Sequence, residues 1–259
     1  MMGLEKFSLE GKVALITGSG RSIGKGIALC MAECGADIVN TARTVEEIEQ
    51  TAAEVKAMGR KSIAIPFDAR ESELVNAMVE KAVEEFGRID ILVNNAGTPT
   101  KWDKLDVKEK GWDALINENL KTTFLCTQAV SRVMRDKNTK GSIINISSTS
   151  AVGANPGGLA YGAAKAAVNS YTQSCAVVLA PYGIRVNCIL PGSTEHPVSI
   201  AFSHLDDPEV RAAAERRIPL GRLGTPEDIG WACVYLASDA AAHITGVLLP
   251  VCGGPSSRH

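Results

Sequence analysis

The chain has 259 residues, 45% hydrophobic and 22% charged, with a formal net charge of −2. That is the balance of a soluble globule with a large core, long enough for one sizeable α/β domain or two small ones. Near-neutral charge argues against nucleic acid or an anionic membrane as partner. No basic n-region followed by an apolar h-region opens the sequence, so no secretion signal is expected, and the longest uncharged stretch, 141–164, is broken by Ser, Asn, Pro and Gly, so no membrane span is expected there.

Short β-branched runs alternate with longer amphipathic stretches. Strands are expected at 13–17, 38–41, 62–65, 91–93, 142–147, 185–190 and 247–251. Most are apolar without strict alternation, as in strands buried on both faces of a parallel sheet. Helices are expected near 22–34, 44–58, 71–86, 109–135, 159–180 and 226–238. The last opens Thr225-Pro226-Glu227-Asp228, a capping threonine followed by proline and acids at the positive end of the helix dipole. Repeated β-α units imply an α/β fold of Rossmann type, a doubly wound parallel sheet with helices on both faces. With no linker or repeat, residues 1–259 read as a single domain. The one long irregular interval, 191–217, is expected to be a substrate lid.

The seven cysteines are scattered and form no Cys-x-x-Cys pair. Without a secretion signal they read as buried reduced thiols of a cytoplasmic protein. Cys30 and Cys34 lie one helical turn apart with no His or third Cys to complete a metal site, so packing is the better reading and no metal is expected.

After the first strand comes Gly18-Ser19-Gly20-Arg21-Ser22-Ile23-Gly24. Glycines there permit a tight turn and let the backbone approach a pyrophosphate at a helix N-terminus. The Gly-x-Gly-x-x-Gly spacing fails, because Ile23 takes its last position. An acid at the far end of the second strand would bind a ribose 2′-hydroxyl and repel a 2′-phosphate. Here Asp37 opens the strand, and its far end reads Thr41-Ala42-Arg43. Two arginines, Arg21 and Arg43, and no carboxylate favour NADP(H).

Tyr161 and Lys165 are four apart on an expected helix and so share one face. A lysine charge close by would lower the tyrosine pKa by roughly 1–3 units from about 10, making the phenol a general acid–base near neutrality. Ser148 stands thirteen residues earlier, past the apolar run 143–146.

Taken in order, Thr17 to Gly24, Asp68, Asn94-Asn95-Ala96-Gly97, Asn119, Ser148, Tyr161-x-x-x-Lys165 and Pro191-Gly192 make the chain resemble the short-chain dehydrogenase/reductase family nearly end to end. The length resembles that of its 3-oxoacyl reductases. The resemblance implies that Asn119, Ser148, Tyr161 and Lys165 form a catalytic tetrad. It also implies that Asp68 with Ala69 holds the adenine, and that Asn94 to Gly97 stabilise the sheet and flank the cofactor. Pro191, Gly192 and Thr194 would line its nicotinamide end, and helix-paired homotetramers are implied. The stretch 163–180 is small or apolar around most of its circumference, which also suggests a second buried face.

The chain departs from the family pattern in four respects. Ser22 replaces a glycine, as in enoyl reductases, although those space tyrosine and lysine more widely and Val168 sits at the wider spacing. His196 stands where many members carry a threonine that contacts the nicotinamide carboxamide, with Thr194 as substitute. Cys252 replaces an aspartate, with no functional account. Ala42-Arg43 stands where NAD-preferring members place an acid.

The expected activity is reversible hydride transfer between NADPH and a ketone, giving a secondary alcohol. Segments 98–103, 149–159 and 193–217 are the candidate pocket. Arg211, Arg216 and Arg217 read as a solvated helix face beside Glu209 and Glu215, with an anionic substrate as the alternative. The other readings are a non-catalytic NADP(H) sensor or scaffold on the same fold, and an NAD-preferring dehydrogenase.

Overall fold

The computed structural model describes residues 3–98, 105–153 and 158–254. Seven strands, β1 (Val13–Thr17), β2 (Asp37–Ala42), β3 (Ser62–Pro66), β4 (Ile91–Asn94), β5 (Ser142–Ile146), β6 (Arg185–Pro191) and β7 (Leu248–Val251), form one parallel sheet in the order β3-β2-β1-β4-β5-β6-β7. The described helices are α1 (Ser22–Glu33), α2 (Val45–Ala57), α3 (Ser72–Phe86), α4 (Glu109–Ile116), α5 (Thr122–Asp136), α6 (Leu159–Leu179), α7 (Pro197–Ser203), α8 (Pro208–Arg216) and α9 (Pro226–Ala237).

The unbroken apolar strands follow from two cores. Along β1, Ala14 and Ile16 pack with α1 and α9, while Val13 and Leu15 pack with α3 and α5. Strand side chains alternate in direction, so β1, β4 and β5 are buried at every position. Each fully buried Ile or Leu contributes roughly 1.5–3 kcal/mol. Helix α9 begins with the expected capping box, Thr225 Oγ1 accepting from the Asp228 amide and Asp228 accepting from the Thr225 amide.

The order of strands reverses between β1 and β4, which run side by side with Ile16 opposite Val93. Crossovers leave that junction in opposite directions, so a crevice opens at the carboxyl ends of both strands. Asn94 anchors its floor, its Nδ2 donating to Thr127 Oγ1 at 2.9 Å and to Asn145 Oδ1 at 2.8 Å.

Two expectations are corrected. The helix expected at 109–135 contains a π-helical turn, Asn117–Lys121, and such turns gather at functional positions. The interval 191–217 is not irregular, since it holds α7 and α8. Asp207 caps α8 by accepting from the Glu209 and Val210 amides, with Pro208 in the first turn.

Candidate active site at the carboxyl ends of the strands

The β1–α1 turn is shaped by glycine. Gly18 has φ +68, and a β-carbon on Gly24 would lie 2.1 Å from the Gly18 carbonyl oxygen, so no side chain fits. Ser22 adopts φ +53, the left-handed conformation that glycine takes freely, and its buried Oγ has no hydrogen-bond partner among the described residues. Ile23 packs against the core. From β4, Asn95 Nδ2 donates to the carbonyls of Thr17 and Gly18 at 3.0 and 3.1 Å, and the Asn95 and Ala96 amides donate to Thr17 Oγ1. The turn is thereby tied to the segment that follows β4.

Arg21 precedes α1 and pairs with Glu47 at 3.3 Å, staying largely exposed. Arg43 is exposed just beyond β2. Register pairs Ala42 with Pro66, so Arg43 lies beside the segment carrying Asp68 and Ala69. The Asp68 carboxylate is gripped by Arg70, whose Nε donates at 2.8 and 3.1 Å and whose Nη2 closes the fork. Hydrogen bonding to Arg70 is the main cause that holds the Asp68 carboxyl below its usual range, and the charge of Arg43 adds to it. Sequence reasoning missed Arg70. Its signal was available, a cation two residues from an acid just after a strand.

The catalytic candidates come from three elements. Ser148 follows β5 and caps a short turn, its Oγ accepting from the Ser150 amide at 3.1 Å; its side chain is also hydrogen-bonded to Tyr161. Tyr161 and Lys165 project from the first turns of α6, and Lys165 Nζ lies 5.6 Å from the Tyr161 ring centroid. Asn119 sits in the π-helical turn, fully buried. Its Nδ2 donates to the carbonyls of Leu115 and Thr98, and its Oδ1 has no partner among the described residues. A β-carbon on Gly97 would stand 2.6 Å from that Oδ1 and 3.2 Å from Lys165 Nζ. Glycine at 97 therefore keeps clear a space flanked by both polar atoms.

The expected lowering of the tyrosine pKa is corrected. Burial pushes the Tyr161 phenol above its usual 10.0, and the Ser148 hydrogen bond offsets this only in part. Burial also drives Lys165 from 10.5 down to about 8. Its ammonium donates to the Ile146 carbonyl at 2.9 Å and lies over the ring. Desolvation, not the lysine charge, sets the direction of the Tyr161 shift.

Beyond β6, Gly192 abuts Cys252, its would-be β-carbon 2.6 Å from Cys252 Cβ; Cys252 is a packing partner of this turn. Thr194 is buried, its hydroxyl donating to the Gly192 carbonyl at 3.2 Å, and it bridges to Gly224. His196 caps α7. Arg211 pairs with Glu195 at 2.6 and 2.9 Å and lies 3.8 Å from Glu215, so it is not a free anion receptor. A cavity of about 400 Å³ under α7 and α8 is lined by Thr194, Ser199, Leu205, Val210 and Arg217 among others. Of the candidate pocket segments, 99–103 and 154–157 lie outside the described residues.

A family model described as enoyl-(acyl carrier protein) reductase matches residues 18–256. The 3-oxoacyl-[acyl-carrier-protein] reductase FabG of Thermotoga maritima is 38% identical over 246 residues, spanning 95% of this chain and 98% of its own. A 7α-hydroxysteroid dehydrogenase complexed with NADH and 7-oxo glycochenodeoxycholic acid superposes with TM-score 0.93 at 30% identity, covering 99% and 98%. A structure from Agrobacterium tumefaciens with bound NADP, whose assignment as a 2-deoxy-D-gluconate 3-dehydrogenase is itself provisional, gives TM-score 0.86 at 33% identity, covering 96% and 98%.

Proposed function

This chain belongs to the short-chain dehydrogenase/reductase family, and we propose that within it the protein is an NADP(H)-dependent oxidoreductase interconverting a ketone and a secondary alcohol. The observation that carries this is the meeting of the Ser148–Tyr161 hydrogen bond, Lys165 Nζ and the Asn119 Oδ1, which has no partner among the described residues, at one end of the sheet. The relatives named above include oxidoreductases of acyl and steroid substrates.

The residues fit a nicotinamide dinucleotide. The β1–α1 turn excludes side chains at Gly18 and Gly24 and leaves the buried Ser22 hydroxyl without a partner among the described residues, as a cradle for a diphosphate requires. Asp68, Ala69, Asn95, Ala96, Gly97, Pro191, Gly192 and Thr194 extend that cradle along the crevice. Arg43, exposed at the end of β2, favours the 2′-phosphate. When bound, the cofactor supplies or takes the hydride.

Tyr161 donates a proton to the carbonyl oxygen in reduction and takes it back in oxidation. Ser148 donates a hydrogen bond to the same oxygen, stabilising developing charge where it forms. Asn119 Oδ1 and Lys165 Nζ hold the route by which the tyrosine is reprotonated, through the space beside Gly97. Lys165, near neutrality at about 8, is poised to exchange a proton.

Helices α7 and α8 serve as the lid over the substrate in this one-domain reading, and no metal takes part. We take the protein to be cytoplasmic and a homotetramer. Helix α6 leaves Val177 and Val178 75% and 66% exposed, an apolar face that pairing with a second copy would cover. No described helix is long and apolar enough to cross a membrane.

A panel of ketones and alcohols followed by nicotinamide absorbance, with NADPH and NADH in parallel, tests the proposal. Turnover of at least one ketone with NADPH preferred is expected. Cofactor binding without turnover across a broad panel would favour the sensor or scaffold reading instead.

A further inference from the structure

Helix α7 starts on a histidine, whereas Ser, Thr, Asp and Asn are the usual caps. His196 Nδ1 accepts from the Ser199 amide at 3.1 Å, and the His196 amide donates to Ser199 Oγ at 2.9 Å. The Ser199 hydroxyl in turn donates to the Thr194 carbonyl at 2.7 Å. This closed set of bonds ties the first turn of α7 to the segment directly after Pro191-Gly192. An accepting Nδ1 fixes the neutral ring with its proton on Nε2. A second proton would set two N–H groups against each other across that 3.1 Å contact.

We propose that His196 is a pH-sensitive positioning residue: its neutral imidazole locks α7 and Thr194 over the nucleotide site, and protonation releases them. The consequence for cofactor binding rests on the nucleotide site proposed above, while the lock itself is a property of the chain alone. The charged groups around the imidazole support it. Arg21, in the turn before α1, acts on the ring by its charge. Glu195 is the adjacent acid, and its carboxylate is engaged by Arg211 from α8. Asp228 of α9, near the Gly224 bridge, is engaged by Arg222. Both carboxylates are therefore neutralised, and burial together with Arg21 disfavours the imidazolium, moving the pKa below 6.5.

The sign follows. Well above pH 6.5 neither the locked nor the released state carries the extra proton, and the lock is at full strength. As pH falls below 6.5 the released histidine takes a proton that the locked one refuses, so release is favoured.

Hydrogen exchange of segment 197–203, corrected for intrinsic rates, reads the lock directly. Nicotinamide fluorescence titration with NADPH reads its consequence. His196→Asn keeps an N-cap that does not titrate, and His196→Ala removes it. For the wild type, exchange and NADPH Kd should each rise about three- to tenfold, the range of one lost cap, between about pH 7 and about pH 5. His196→Asn should be flat, and His196→Ala should be fast and weak at both ends. The proposal is overturned if His196→Asn shows the wild-type acid response, or if His196→Ala protects α7 as well as the wild type at neutral pH. The predicted exchange pattern without NADPH binding to any variant would uphold the lock and overturn the nucleotide site instead.

Discussion

Lys165 Nζ lies over the Tyr161 ring, 5.6 Å from its centroid, and donates to the Ile146 carbonyl at 2.9 Å. Lys165 is 4% exposed, and its pKa falls from 10.5 to about 8 because burial disfavours the charge.

That displacement makes stability depend on pH in a defined direction. Below about pH 8 both folded and unfolded states carry the charge, and the folded state bears the full cost of burying it. Between about 8 and 10.5 the unfolded chain keeps the proton while the fold releases it, so the cost is relieved as pH rises. At about 1.4 kcal/mol per pH unit the relief amounts to roughly 3 kcal/mol. Lys165→Met removes the cost but strands the Ile146 carbonyl, about 1 kcal/mol or more. Urea unfolding should show the variant more stable by about 1–2 kcal/mol at neutral pH, with the gap closing near pH 9 and reversing by about pH 10, while turnover and cofactor affinity are lost. A gap independent of pH contradicts the lysine's assignment.

Gly97→Ala places a methyl 2.6 Å from Asn119 Oδ1 and 3.2 Å from Lys165 Nζ. Both polar atoms must move, and a shift near 1 Å in such a site costs about 10²-fold in rate. Circular dichroism should be unchanged while kcat falls by about that factor. Wild-type kcat in this variant would show that the space beside Gly97 is not used.

Cofactor choice should lie with Arg43 more than Arg21, because Arg21 is already paired with Glu47. Charged hydrogen bonds contribute roughly 1.5–3 kcal/mol, so Arg43→Ser should weaken NADPH by about tenfold or more and leave NADH nearly unchanged. Ala42→Asp with Arg43→Ser should reverse the preference in kcat/KM. A wild type that uses NADH as well as NADPH contradicts the assignment.

Ser22 holds φ +53, a conformation costing a non-glycine residue about 1–2 kcal/mol. Ser22→Gly should raise stability by about 0.5–1 kcal/mol once glycine's greater unfolded entropy is subtracted. It should also weaken dinucleotide binding, since a buried hydroxyl with no partner among the described residues is removed. Unchanged Kd would separate Ser22 from the cofactor.

The sheet was legible because strands buried on both faces cannot alternate: β1 and β5 read as apolar runs and prove buried throughout. The Tyr161–Lys165 pair was legible because i and i+4 share a helix face. The π-helical turn at Asn119 was not, since one inserted residue barely disturbs helical periodicity. Helices α7 and α8 escaped because each is short and lacks a long apolar stripe, although Asp207-Pro208 and His196-Pro197 carry start signals. The direction of the Tyr161 shift was missed because spacing reveals which charges are near but not how deeply they are desolvated.

The most direct test is the single-turnover and steady-state rate of ketone reduction by NADPH for the wild type against Tyr161→Phe. The substitution keeps the ring and deletes the hydroxyl bonded to Ser148. General acid–base groups contribute about 10²–10⁴-fold, so the variant should bind NADPH with near wild-type affinity and lose turnover by at least about 10²-fold. A Tyr161→Phe protein that retains more than about half of wild-type kcat would contradict a Tyr161-centred mechanism.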